Sequence, residues 1–211
     1  MILTVGHTKG GTGKSTIALH LAMALAQTKK VLLIDGDEQR SALHFTSLRN
    51  EVGQQDYTTV ALYGTSLLLQ GQLLAPNYEE VLIDVGGRDS GSLRAALTLS
   101  DRVIIPNAPR TFDVWAMEFL QTLVNEAKSV NPKLQAHSFI NLGEVRGSEN
   151  QDAIEVLREF ESLPTLVSII MRRKVYAESL AQGKGVFEMK NEKAKSEMNS
   201  LLSEVYRLTI S

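Results

Sequence analysis

Residues 7–16 read HTKGGTGKST, a stretch whose residue types suit one kind of chemistry. Gly10, Gly11 and Gly13 carry no side chains, so their amides can wrap an anion, and an amphipathic helix beginning at Ser15 turns its positive end to the same place. Lys14 supplies a point charge for terminal phosphates, and the Ser15 hydroxyl is suited to ligating Mg²⁺. The apolar run Ile2–Val5 precedes the loop, which completes the strand–glycine loop–helix context of a nucleotide-binding site. Lys9 is surplus to that chemistry, because one nucleotide needs one such lysine. The ordinary spacing would also place a glycine where this chain has Thr8.

Phosphoryl transfer to water requires a held Mg²⁺ and an aligned attacking water. In an open α/β sheet the groups that do this belong at the carboxyl ends of strands. Two apolar runs end in aspartates: VLLIDGDEQR in Asp35 and, two residues on, Asp37; VLIDVGG in Asp84, followed by Gly86 and Gly87.

Lys9 to Ser15 match K-G-G-x-G-K-[ST] at every position, and here the chain resembles the deviant Walker ATPases of the ParA and MinD type. The resemblance extends over nearly the whole chain, is closest to small ParA partition proteins, and weakens after residue 110. It implies a P-loop fold, ATP and Mg²⁺ as ligands, and a cradle of Lys9, Gly10, Gly11, Thr12, Gly13, Lys14, Ser15 and Thr16. It makes Lys9 a residue that reaches the ATP of a second copy, and so implies a homodimer that forms on ATP binding. It assigns Asp35, Asp84 and Ser15 to the magnesium shell, Asp37 to positioning the hydrolytic water, and the Gly87 amide to sensing the γ-phosphate. Glu38 stands where the family usually has proline. Asn141 falls where relatives contact adenine, and Met171 lies in a segment that closes over the base, where relatives often read Ile-Pro-Arg.

By the same resemblance the ATP-bound dimer binds nonspecific DNA, and a ParB-like centromere-binding adaptor stimulates an otherwise slow hydrolysis. The main expectation is therefore a DNA-partition ATPase, with positioning of a non-DNA cargo as the alternative. Arg172, Arg173 and Lys174 are the candidate DNA contacts, with Lys184, Lys190, Lys193 and Lys195 nearby. A MinD-like membrane-positioning ATPase is a further alternative. It would need a basic amphipathic C-terminal helix, whereas LLSEVYRLTIS holds one arginine and one glutamate, so no stable membrane association is expected. A ligase using the same loop would need a substrate pocket that no motif marks.

The elements that must position these groups are legible as an alternation. Short apolar runs at 2–5, 31–35, 81–84, 102–106, 137–141 and 165–170 read as strands of a covered parallel sheet. Between them STIALHLAMALAQ places Ile17, Ala18, Leu21, Ala22 and Leu25 on one helical face, and TFDVWAMEFLQTLVNEAKSV does the same with Val114, Met117, Leu120, Leu123 and Val124. SALHFTSLRN and TSLLLQGQLL read as helices and YTTVALYG as a strand. Residues 193–208 space Ala194, Met198, Leu201, Leu202, Val205 and Leu208 as a stripe suited to packing on the core. The pattern predicts a doubly wound α/β sheet with helices on both faces.

Composition narrows the rest. The 211 residues are 43% hydrophobic and 22% charged with a formal net charge of −2, so DNA contact would need a local basic patch. Cysteine is absent, which excludes disulfides, thiolate metal sites and cysteine nucleophiles. The four histidines lack ligand spacing. With the loop reached within six residues and no leader pattern, one cytoplasmic domain spanning 1–211 is expected, without the DNA-binding extension of larger ParA proteins.

Overall fold

The computed structural model describes residues 1–87 and 91–208. Its strands are β1 (Ile2–Val5), β2 (Val31–Asp35), β3 (Thr58–Ala61), β4 (Glu80–Asp84), β5 (Arg102–Asn107), β6 (Gln135–Gly143) and β7 (Thr165–Met171). They form one sheet in the order β3-β2-β4-β1-β5-β6-β7, and the pairings are parallel. The helices are α1 (Lys14–Ala26), α2 (Ser41–Glu51), α3 (Gly64–Leu74), α4 (Gly91–Leu99), α5 (Val114–Val130), α6 (Glu149–Leu157), α7 (Lys174–Ala181) and α8 (Glu192–Arg207).

The period-two side-chain alternation of the strands divides the core in two. Leu3, Val5, Val31, Leu33, Leu82, Ile104 and Phe139 face α1, α2, α7 and α8, where Ile17, Leu21, Phe45, Tyr176, Met198 and Leu201 meet them. Their neighbours Leu32, Ile34, Val81, Ile83, Val103, Ile105 and Ile140 face the other layer, meeting Leu67, Leu93, Leu97, Met117, Leu120 and Leu157. Each fully buried leucine or isoleucine contributes roughly 1.5–3 kcal/mol of hydrophobic stabilisation. This is the doubly wound arrangement expected from the alternation.

Three expectations need adjustment. The edge strands are not covered on both faces: Val167 of β7 is 88% exposed, and that strand alternates buried and open positions. The helix expected from Thr111 begins at Val114, because Pro109–Thr111 forms a single 3₁₀ turn and Asp113 caps the helix, its Oδ1 accepting the Ala116 N–H at 3.2 Å. Val114, grouped by spacing with the core stripe, is consequently 42% exposed at the helix start, while Met117, Leu120, Leu123 and Val124 are buried. The α8 stripe packs on the core through Ala194, Met198, Leu201 and Val205. Among the described residues no helix is long and apolar enough to cross a membrane.

β1 leads through α1 to β2 on one side, and the adjacent β4 leads through α4 to β5 on the other. The carboxyl ends of β1 and β4 therefore flank a crevice where the order of the sheet reverses, the place where ligands bind in such folds.

Candidate functional site

The strand register assembles the site. Val5 is paired with Asp84, and Asp84 with Asp35, so the start of the glycine loop and two carboxylates lie on one rung. The loop then turns through two left-handed glycines, Gly11 at φ 76° and Gly13 at φ 86°. A side chain at Gly13 would also place its Cβ 2.3 Å from Asn141 Nδ2, so both backbone conformation and space demand glycine there.

Lys14 opens α1 and is almost wholly buried; its ammonium donates to the Lys9 carbonyl at 2.8 Å. Burial lowers its pKa, and Asp84 and then Asp37 oppose that shift. Lys9 points elsewhere: its ammonium donates to the Thr111 carbonyl at 2.6 Å and meets Asp113 Oδ2 at 3.3 Å. The two lysines of the loop are therefore held in different directions. The Lys9 N–H donates to His7 Nδ1 at 3.0 Å, and the His7 Nε2 lies 3.3 Å from Asn107 Oδ1. Burial, followed by the charge of Lys14, pushes His7 down to about 4 and keeps it neutral.

The two rung carboxylates are both inaccessible to solvent, and burial pushes the pKa of both upward, but they differ in their hydrogen bonds. Asp35 Oδ1 accepts the Asp37 N–H at 3.1 Å and Oδ2 the Leu43 N–H at 2.9 Å. Neither oxygen of Asp84 has a hydrogen-bond partner among the described residues. The Ser15 hydroxyl faces Asp84 and favours its ionised form, yet burial dominates and pushes the carboxyl up to about 7. The Thr12 hydroxyl in the same loop is likewise buried and unpaired. An orphaned carboxylate beside a lysine and a hydroxyl fits a divalent cation. Among the described residues no group of three or more histidine, aspartate or glutamate side chains forms a ready metal site. Such an ion would thus complete its shell from water and phosphate, as Mg²⁺ does in nucleotide sites.

Asp37 is half-buried, and its Oδ1 accepts the Gln39 N–H at 3.0 Å. This Asx turn, together with the Arg40 N–H on the Asp37 carbonyl at 2.9 Å, holds the segment in which Glu38 replaces the family's proline. A cavity of about 330 Å³ lies between Gly10, Gly36, Asp37, Glu38, Gln39, Gly86, Gly87 and Ser92. Gly87 backs directly onto the loop: a Cβ there would come within 2.7 Å of Gly10 N and 2.9 Å of Lys9 C.

The remaining sequence candidates are placed less as expected. Asn141, near the end of β6, donates from Nδ2 to the Thr12 carbonyl at 2.7 Å, so its amide nitrogen braces the loop. Met171 ends β7 with its sulfur over Gly143, and its N–H donates to Glu197. Arg172 and Arg173 do not form an open basic patch. Arg172 pairs with Glu144 at 3.0 Å, an acid shared with Arg110. Arg173 pairs with Glu197, which also accepts from Tyr176, and so ties α7 to α8. Lys174 is exposed and has no ion-pair partner among the described residues.

Sequence reasoning did not find His7, Asn107 or Asp113. Two signals were available: Asn107 closes a buried strand in the same way as Asp35 and Asp84, and Asp113 stands as a helix cap before a periodic apolar run.

The chain was compared with known proteins. The family model described as CobQ/CobB/MinD/ParA nucleotide binding domain matches residues 3–187. A relative called maintenance of carboxysome distribution protein A, from Halothiobacillus neapolitanus, is 29% identical over 208 residues, covering 96% of this chain and 95% of its own. Apo McdA from Cyanthece has a similar fold, with a TM-score of 0.79 at 17% identity over 97% of this chain and 98% of that one. A plasmid partition protein from Borrelia burgdorferi shares the fold at a TM-score of 0.70 and 22% identity, covering 98% of each chain.

Proposed function

We propose, for a chain that belongs to the CobQ/CobB/MinD/ParA nucleotide-binding family, that it is a ParA/MinD-type positioning ATPase working as a nucleotide-bridged homodimer on a cargo other than DNA. Family membership implies ATP binding and hydrolysis of the ParA/MinD kind. The non-DNA cargo is supported by the relative named for carboxysome distribution, which aligns over nearly the full length of both chains. The ion pairs of Arg172 and Arg173 bear on which residues meet DNA and not on the cargo. The earlier expectation of DNA partition as the main function gives way to its alternative, and the ParB-like centromere adaptor to a partner protein that links the ATPase to its cargo and accelerates hydrolysis. Nonspecific DNA stays in the proposal as a surface contacted through Lys174, Lys184, Lys190 and Lys193. The test of that contact is a binding constant that falls steeply with salt in the ATP state.

In this reading Lys14 leaves the Lys9 carbonyl for the phosphates, which the Gly10–Gly13 amides surround. Asp84 and Ser15 would hold Mg²⁺, which would neutralise phosphate charge there, and Asp35 fixes the neighbouring turn. Asp37, at the wall of the cavity, orients the attacking water. Gly87 carries any change at the γ-phosphate position into the loop backbone it touches.

One observation carries the proposal of a dimer: the Lys9 ammonium is directed away from its own loop, to Thr111 and Asp113, while Lys14 turns inward. The single tryptophan of the chain, Trp115, is 81% exposed two residues from Asp113, so its fluorescence reports on this surface. ATP should shift the wild-type emission and double the mass seen by light scattering. Lys9→Ala should bind ATP within about threefold of wild type, a loss below about 1 kcal/mol, yet show neither change. Normal dimerisation and hydrolysis by Lys9→Ala would refute the assignment.

A further inference from the structure

The glycine loop is braced at two separate places. Its helix-side half is held by Asn141, which donates to the Thr12 carbonyl. Its leading half is held by a chain of hydrogen bonds whose directions are fixed from the far end. Asn107 Nδ2 donates to the Ile105 carbonyl at 3.0 Å, which leaves Oδ1 as the atom presented to His7. An amide oxygen only accepts, so His7 Nε2 carries the proton. The other ring nitrogen, Nδ1, is then bare, as it must be to accept the Lys9 N–H. His7 is 3% and Asn107 2% exposed, so water does not compete for either partner.

We propose that His7 and Asn107 are positioning residues that fix the Lys9 backbone at its N–H and thereby set the starting positions of both loop lysines. The Lys9 carbonyl receives the Lys14 ammonium, and the Lys9 side chain departs toward Thr111 and Asp113. The N–H, the carbonyl and the side chain of Lys9 meet at one Cα, so a shift of that Cα moves both. The relay acts more strongly on Lys9 than on the phosphate cradle, because the helix-side half keeps its Asn141 brace. Its functional consequence rests on the proposed nucleotide-bridged dimer; its geometry does not.

The two are separated by experiment on the full-length chain. In the nucleotide-free protein, ¹⁵N NMR of the His7 imidazole should show a protonated Nε2 and a bare, hydrogen-bonded Nδ1. The opposite tautomer overturns the relay. His7→Leu removes both bonds and should keep ADP affinity within about threefold while lowering ATP-dependent dimerisation and kcat about tenfold, the effect of losing the one buried hydrogen bond that holds Lys9. His7→Asn should recover most of that loss. Its Oδ1 can accept the N–H two residues on, as in an Asx turn, which restores the bond that holds Lys9. A His7→Leu protein that dimerises as wild type, or a His7→Asn protein as impaired as His7→Leu, overturns the proposal. Should His7→Leu fail to fold, the asparagine variant and the tautomer decide. Should the wild type neither dimerise nor hydrolyse ATP, the ATPase reading fails, and the tautomer alone decides the relay.

Discussion

Asp35 and Asp84 are paired across adjacent strands, follow similar apolar runs and are equally inaccessible. From sequence they are near duplicates. The structure gives them different hydrogen-bond surroundings. Asp35 accepts a backbone N–H at each oxygen and so fixes both the turn to Asp37 and the entry to α2. Asp84 accepts none. A buried carboxylate without partners costs several kcal/mol of stability unless something neutralises it. Burial raises the pKa at both positions, but only at Asp35 do backbone N–H groups offset part of that cost. Position on a strand therefore does not fix what a carboxylate does; the N–H groups that reach it differ even between neighbours on one rung.

The largest expected effect comes from Asp84→Asn. Hydrolysis should fall about 100-fold or more through loss of magnesium-dependent charge stabilisation, while the nucleotide-free protein becomes more stable by about 1–3 kcal/mol. The gain has a pH signature. The Asp84 carboxyl is raised from 3.8 to about 7 in the folded state, so its stabilisation of the fold is complete below pH 4 and lost as pH rises through 7. The melting-temperature advantage of the variant should accordingly be larger at pH 8 than at pH 5. An advantage independent of pH would show that Asp84 is paired in solution. Asp35→Ala should do the reverse: it leaves the Asp37 and Leu43 amides without acceptors and should destabilise by about 2–4 kcal/mol. Asp35→Asn retains one acceptor and should lose about half as much. Chemical denaturation measures both. An Asp35→Ala protein as stable as wild type would erase the distinction between the two residues.

A smaller effect tests the loops that follow the two carboxylates. After Asp84, Gly87 touches backbone, with Gly10 N 2.7 Å from the position of an added Cβ; after Asp35, Gly36 meets mainly side chains and the Asp84 carbonyl at 3.0–3.1 Å. Side chains yield and backbone does not. Gly87→Ala should cost about 1–3 kcal/mol of stability and weaken nucleotide binding with it, whereas Gly36→Ala should cost less and leave binding unchanged. Calorimetric titration of ADP separates the two, and equal loss of affinity in both variants would break the assignment.

The fold was legible because its signals are local. Strand runs such as VLLID at 31–35 coincide with β2, and the glycine loop announces itself by spacing. What stayed hidden depended on three-dimensional pairing. The sequence grouped Arg172 and Arg173 as a basic cluster because their acids, Glu144 and Glu197, lie 28 and 24 residues away. The contact of the Asn141 amide nitrogen with the Thr12 carbonyl, 129 residues away, could not be read from the sequence either. The helices α4 and α6 escaped notice because they are short, with nine residues each. The difference between Asp35 and Asp84 was out of reach for the same reason: hydrogen-bond partners are not written in the residue type.

The smallest effect bears on how the Asp35 side is kept rigid without the family's proline. Arg40, which precedes α2, adopts φ 54° and ψ 35°, a left-handed conformation that costs a non-glycine residue about 1–2 kcal/mol. The Asp37 carbonyl, accepting the Arg40 N–H, and the Tyr63 hydroxyl, accepting from Arg40 Nε at 3.1 Å, hold it there. Arg40→Ala keeps the strain and removes the tether, while Arg40→Gly removes both. Glycine should therefore exceed alanine at this position by about 1 kcal/mol, despite its larger entropy loss on folding. The difference should be the same at pH 5 and pH 8, because the strain lies on the Asp35 side and Asp84 keeps its own titration. Alanine equal to glycine would show that the turn relaxes to negative φ in solution. The two hydrogen bonds that Asp35 supplies would then be the whole of what holds the entry to α2.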